Sequence, residues 1–313
     1  FIDSNVFEFA YGDTDAGERI IDSQWVASTL YVANNNMLFG VNFADGRIKG
    51  YGMTDPMGGE KTFYAYFVRG NTDYGTNNFT DNYNDTITDS ATGLMWSQAD
   101  SGSGMNWEDA LSYAEDSTLA GYGDWRLPNA KELQSLVEYT RSPDTTSSAA
   151  IDAVFDSTGI TNMAGEADYP WYWTGTSHLR SNGSAEGAVY VCFGRGLGSY
   201  DGSTVMDVHG AGCQRSDPKD GDESSYPYMS NSPQSDVQRV FNYVRLVRNT
   251  QCGDPGYVSD LGGDLNADCY VNLLDFAKLG QEWLTTYEIS DLALIAQNWL
   301  DCIDSDEPCN YVP

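Results

Sequence analysis

Along most of the chain, apolar residues come in short aromatic or β-branched runs and seldom at helical spacing. Ala188-Val189-Tyr190-Val191, Tyr172-Trp173-Thr174 and Phe39-Gly40-Val41-Asn42-Phe43 are such runs, separated by stretches rich in Gly, Asn, Asp and Ser. That pattern predicts short strands joined by long loops. Two helices stand out between residues 90 and 250. Asn106 is placed to cap one whose Trp107, Ala110, Leu111 and Ala114 share a face. Asn129, with Glu132 three residues on, opens the other through Leu133, Leu136 and Val137. Two further helix patterns follow near the C-terminus, so the fold class is α+β.

Composition narrows the setting. The chain has 313 residues, 41% of them hydrophobic, enough for two or three domains with cores. Its 46 acidic and 16 basic residues give a formal charge of −30. Such a field disfavours nucleic acid and anionic membranes as partners and favours divalent cations. No apolar run approaches the roughly 20 residues that span a bilayer, so no membrane insertion is expected. No signal peptide is visible, which fits a cytosolic or an already processed protein. The cysteines favour the second, and an extracellular or cell-surface location. There are six (Cys192, Cys213, Cys252, Cys269, Cys302 and Cys309), with no C-x-x-C pair, and all are expected in disulfides. Asn78, Asn84 and Asn182 open Asn-x-Ser/Thr triplets and are predicted glycan sites.

Thr92-Gly93-Leu94-Met95-Trp96, Trp107 with Ala110, and Ala120 through Asn129, with its Asp124-Trp125-Arg126-Leu127-Pro128 core, form a specific set. Together with Tyr172-Trp173-Thr174 and Val244 through Arg248, they resemble the bacterial Lcl C-terminal-type family. That family is assigned to the C-type-lectin-like superfamily, and the resemblance covers about half the chain. It implies a C-type-lectin-like central domain and an adhesive, extracellular setting, with no established chemistry. Around residue 81 the family usually reads Asp-Asn-Gly-Asp-Gly-Thr. This chain has Asp81-Asn82-Tyr83-Asn84-Asp85-Thr86, and the loss of both glycines is expected to change the turn.

The first 71 residues repeat part of this pattern. Gln24-Trp25-Val26 matches Tyr172-Trp173-Thr174, Phe39 through Phe43 matches Val189 through Phe193, and Tyr66 through Arg69 matches Arg245 through Arg248, in the same order. Residues 1–75 therefore resemble the second half of another such module, β-rich and without its first half. Three outcomes are open: a processed piece of a longer protein, a self-sufficient small sheet, or completion by another molecule.

The sharpest chemical motif runs from Asp264 to Asp275. Loop positions 1, 3, 5, 9 and 12 are Asp264, Asn266, Asp268, Asn272 and Asp275, with the carbonyl of Tyr270 at position 7. Those oxygens at that spacing suit calcium. Position 6, usually Gly, is Cys269; a disulfide to Cys252, with Cys302 to Cys309, would hold the left-handed backbone there, one of three pairings four cysteines allow. Asp275 through Leu284 recurs as Asp291 through Leu300. The duplicated segment resembles a type I dockerin with one calcium site, small and all-α, which implies docking to a cohesin-like protein or another copy. Phe276, Leu279, Trp283, Leu292, Ile295 and Trp299 are expected mostly in the core of the helix pair.

Nothing singles out a catalyst. His178 and His209 are the two histidines, and neither lies in a nucleophile or metal motif. The Glu-Pro-Asn and Gln-Pro-Asp triplets of calcium-dependent sugar-binding lectins are missing. The expected organisation is a partial lectin-like module (1–75), a complete one (76–250) and a calcium-binding tail (251–313). The expected function is non-enzymatic: a structural subunit that self-associates into a homo-oligomer, filament or other polymer. The alternative is a cell-surface recognition module that binds glycan or protein.

Overall fold

The computed structural model describes residues 2–54, 58–179, 183–225, 235–259 and 261–299. In chain order the strands are β1 (Gln24–Tyr31), β2 (Asn34–Asn42), β3 (Arg47–Gly52), β4 (Phe79–Asp81), β5 (Thr86–Asp89), β6 (Leu94–Ser97), β7 (Ile160–Thr161), β8 (Ala167–Asp168), β9 (Trp171–His178), β10 (Gly187–Cys192), β11 (Leu197–Ser199), β12 (Met206–Asp207), β13 (Gln214–Pro218), β14 (Ser235–Asp236) and β15 (Val247–Asn249). The α-helices are α1 (Trp107–Glu115), α2 (Ala130–Ser135), α3 (Pro143–Thr146), α4 (Leu273–Gln281) and α5 (Ile289–Gln297). The chain is strand-rich with few helices, an α+β protein. Residues 1–75 and 97–247 form one compact unit; 76–96 and 248–313 form a second.

The first unit is built on a six-stranded sheet in the order β1-β2-β3-β13-β10-β9. β10 is buried along its whole length, which is why its sequence reads as a continuous apolar run and does not alternate. Helix α2 packs across β10 and β9, and α1 packs against β9. Both helices begin as their caps dictate. Asn106 accepts the Asp109 N–H at 2.8 Å, and Asn129 and Glu132 form a reciprocal capping box. The buried residues are Ala110 and Ala114 on α1, with Leu133 and Leu136 on and just after α2.

Two meanders in this sheet share their pairing geometry. Trp25 on β1 faces Val41 on β2, as Tyr172 on β9 faces Val191 on β10. Val41 then faces Ile48, and Val191 faces Gln214. Each outer strand also takes a parallel bridge from a later residue, Trp25 with Tyr64 and Tyr172 with Tyr243. By this register Trp25 corresponds to Tyr172, one residue away from the expected Trp173. The meanders meet where β3 pairs antiparallel with β13, at Ile48 and Gln214. A cluster of Tyr31, Phe39, Ala150 and Ala211, with Met37, Ile48 and Tyr139 against it, fills the joint. So part of the cover for the first 75 residues comes from later residues of the same chain.

The second unit holds the four-stranded sheet β15-β6-β5-β4, with β5 and β6 fully buried. Asp89 makes the turn between them. Its buried carboxylate accepts from Asn77 Nδ2, the Asn78 and Ala91 N–H groups and Thr92 Oγ1, at 2.7–3.2 Å. In the β4–β5 turn, Tyr83 and Asp85 take up the left-handed backbone that glycine favours, with φ of 57° and 66°. A side chain there costs about 1–2 kcal/mol. Tyr83→Gly and Asp85→Gly are each expected to stabilise this unit by roughly 0.5–1 kcal/mol, read from urea midpoints. An unchanged or lower midpoint for both would remove strain as the explanation.

Near the C-terminus α4 and α5 close over Val271, Leu279 and Ile295, with Leu261, Leu265, Tyr287 and Leu292 packed around them. Phe276, Trp283 and Trp299 lie outside this core, 49%, 37% and 42% exposed. Two nine-residue helices offer one narrow buried stripe, and Leu279 and Ile295 occupy it.

Candidate functional site

Asp264, Asp268 and Asp275 converge, with one carboxylate oxygen from each lying within 4.8 Å of the others. The backbone builds this arrangement. Asp275 is fully buried at the start of α4, its Oδ1 accepting from the Leu265 and Asn266 N–H groups and its Oδ2 from Asn272 N–H. Asp264 folds the loop over itself by accepting from Asp268 N–H at 3.1 Å and Cys269 N–H at 2.8 Å. Burial pushes the Asp275 carboxyl up, the three backbone donors pull it down, and the Asp264 charge pushes it up again. Three clustered carboxylates in a half-buried loop repel unless a cation sits between them.

Of the other expected ligands, Asn266 lies beside Asp268 and donates to its Oδ2 at 2.8 Å. Tyr270 donates its N–H to Asp268 Oδ1 at 3.0 Å. Asn272 is the N-cap of α4, its Oδ1 accepting from Leu274 N–H at 2.8 Å, so this side chain is engaged with the helix. Cys269 has a φ of 70° and is disulfide-bonded to Cys252. The bridge thus anchors the position where such loops want glycine. Cys302 and Cys309 lie outside the described residues, as does Asn182.

Cys192 and Cys213 depart from the expectation that all six cysteines pair. Both are buried free thiols, at adjoining positions of β10 and the start of β13. Burial, with Cys213 beside it, pushes the Cys192 thiol well up. Asn78 and Asn84 are exposed at the β4–β5 hairpin; Asn78 Nδ2 donates to Ser90 Oγ, and Asn84 Oδ1 accepts from Thr86 Oγ1.

A second polar cluster, not anticipated from the sequence, lies at the joint of the two meanders. His209 Nε2 is 2.7 Å from Asp236 Oδ1, and Arg215 donates to Asp236 Oδ2. Burial, with Arg215 nearby, pushes the His209 imidazole down to about 3, so it is neutral. Burial opposes ionisation of Asp236, yet the charge of Arg215 and the hydrogen bonds from Arg215 and His209 hold it well below the usual carboxylate range. Burial and then Arg215 lower the Lys49 ammonium to about 8. Tyr31 donates its hydroxyl to Asp207 Oδ2 at 2.5 Å, and burial pushes that carboxyl up to about 6. Gly50 N–H donates to the His209 carbonyl at 2.7 Å, so the histidine segment is itself part of the joint. His178 is buried at the end of β9, with Nε2 3.0 Å from the Asp45 carbonyl. His178 thus holds the β2–β3 turn of the first meander, and the His209 main chain holds β3.

Asp217 is buried on β13, where Asn242 Nδ2 donates to its Oδ2 at 3.1 Å. Burial pushes its carboxyl up to about 8. A carboxyl whose folded pKa exceeds its unfolded value, about 3.9, holds its proton more tightly when folded. Its contribution to stability is full below about pH 4 and is lost as pH rises through about 8. Asp217→Asn should therefore match the parent near pH 4 and gain on it towards pH 8, in urea unfolding at each pH. Parallel pH profiles for the two proteins would refute this role.

The Asp124-Trp125-Arg126-Leu127-Pro128 core acquires a structural reason. Trp125 is buried, with Nε1 donating to the Leu119 carbonyl at 3.0 Å. Arg126 exchanges both main-chain hydrogen bonds with Val247, at 2.9 and 3.0 Å, while its guanidinium grips Glu132 in two contacts of 2.8 and 2.9 Å. Pro128 delivers the chain to the N-cap at Asn129, and its carbonyl accepts from Gly175 N–H at 2.8 Å. Residues 85–208 match the family model of the Lcl C-terminal domain, which supports that assignment for the middle of the chain. Curated proteins and solved structures give no match to the chain.

Among the described residues, no helix is long and apolar enough to cross a membrane.

Proposed function

We propose that this protein is a non-enzymatic structural subunit of an extracellular assembly, self-associating through residues 1–75. The central domain is C-type-lectin-like, and residues 1–75 are a second-half copy of the same module. The tail is a dockerin-like element that calcium stabilises, with Asp264, Asp268 and Asp275 as the carboxylate ligands and Asn266, Asn272 and the Tyr270 carbonyl completing the set. One observation carries the assembly reading: the first module leaves apolar side chains uncovered. Val6, Tyr11 and Tyr74 are each more than half exposed. An open apolar surface beside a sheet edge is what partners cover. The shared pairing of the two meanders supports the repeat, the convergent carboxylates support calcium, and the Cys252–Cys269 bridge supports an oxidising location.

Sedimentation across a concentration series, with negative-stain microscopy, tests this reading. Rods, filaments or discrete oligomers are expected as concentration rises in calcium. A monomer at every concentration would overturn it.

A further inference from the structure

We infer that residues 66–69 are an acceptor edge for a strand from a separate polypeptide, one with the character of Leu94–Ser97. The inference rests on reading residues 1–75 as a second-half module, and it narrows which surface of that module is open. Tyr64 and Tyr243 make the same parallel bridge, to Trp25 and to Tyr172. They also make the same main-chain bonds. Tyr64 N–H donates to Gln24 and its carbonyl accepts from Val26, both at 3.0 Å, as Tyr243 N–H donates to Trp171 and its carbonyl accepts from Trp173, both at 2.9 Å. Counting on from this shared anchor, Phe67 stands where Leu246 does and Val68 where Val247 does.

Their surroundings then diverge. Leu246 accepts from Ser97 N–H at 3.0 Å, and Val247 exchanges two hydrogen bonds with Arg126. Leu246 is 4% exposed and Val247 fully buried. Phe67 and Val68 are 100% and 94% exposed. Among the described residues, no main-chain hydrogen bond reaches 67, 68 or 69. The central domain therefore displays what covers such a strand: the buried Leu-Met-Trp-Ser strand β6, with Arg126 bridged to Val247. The chain has two strands needing that cover and one set of residues supplying it, already engaged at Leu246 and Val247. An intact second copy has none to lend, so the donor is a polypeptide whose first-half strand is free.

The test uses the full chain and a synthetic peptide of residues 85–98, with hydrogen exchange as the readout. At roughly millimolar peptide, amides 66–69 should gain about tenfold protection, and a scrambled peptide should give none. Val68→Asp and Val68→Pro, the second of which removes the N–H a new ladder needs, should each abolish the gain while leaving thermal unfolding unchanged. No added protection at 66–69, or protection that survives both variants, overturns the inference. The assembly reading is decided separately. Oligomers of the chain alone that tolerate both variants would leave that reading standing without this edge. Peptide protection on a chain that stays monomeric would do the reverse.

Discussion

Replacing Arg245 with leucine is expected to lower stability by about 3–5 kcal/mol, the largest loss foreseen for a single side chain here. Arg245 has no exposed surface, and its guanidinium donates to three main-chain carbonyls. They belong to Ser97 at 2.9 Å, Gln98 at 2.6 Å and Asp156 at 2.7 Å. It also lies over the rings of Phe155 and Tyr172, 5.1 and 5.6 Å from their centroids. Leucine would fill much of the volume but leave those carbonyls without a donor, at about 1–3 kcal/mol for each one left buried. Lysine keeps a charge but not the fork geometry, so Arg245→Lys should recover only part of the loss. Urea denaturation of the three proteins measures this. A drop below about 1 kcal/mol for Arg245→Leu would mean that water replaces the guanidinium at little cost.

Chelating calcium is expected to have the second large effect, confined to residues 261–299. A cation at about a hundredfold over its dissociation constant stabilises the state that binds it by about 2.7 kcal/mol. Its removal leaves Asp264, Asp268 and Asp275 facing one another with backbone donors alone to offset their charge. The Cys252–Cys269 bridge stays closed, so the loop should loosen without dispersing. Hydrogen exchange in α4 and α5 should speed up at least tenfold in chelator, and Asp264→Ala should show the fast rate in either condition. Asp291→Ala, which loses a helix-capping contact alone, should still respond to calcium. Identical protection of α4 with and without chelator would rule the calcium loop out.

The parts legible in the sequence are those whose cause is local. Asn106 and Asn129 cap helices because a short polar side chain can reach the next turn's N–H groups, which depends on nothing distant. The Asp264–Asp275 loop was legible for a similar reason: its oxygens come from one short segment. The left-handed backbone at Cys269 was also implied, because the loop geometry needs it whatever residue stands there. What stayed hidden depends on residues far apart. Nothing near Ile48 says that it faces Gln214, yet that pairing joins the first meander to the central sheet. Sequence similarity placed Trp25 on Trp173, whereas the hydrogen bonds place it on Tyr172. In a strand, one residue of slip exchanges the two faces, and two neighbouring aromatics make both alignments equally attractive. Trp283 and Trp299, expected with the core of the helix pair, are 37% and 42% exposed because α4 ends at Gln281 and α5 at Gln297, before either is reached.

The position of β15 sets the order in which the second unit can be completed. Strands β5 and β6 leave the ribosome with their neighbour β4, and the remaining edge of β6 waits for Val247–Asn249. At about 5–20 residues per second, the intervening stretch takes roughly ten to thirty seconds to emerge. During that interval the Leu-Met-Trp edge is open to any extended segment nearby, including that of a nascent neighbour. Faults in biogenesis should therefore concentrate there, and a stop codon just before Val247 should be far more damaging than one just after Asn249.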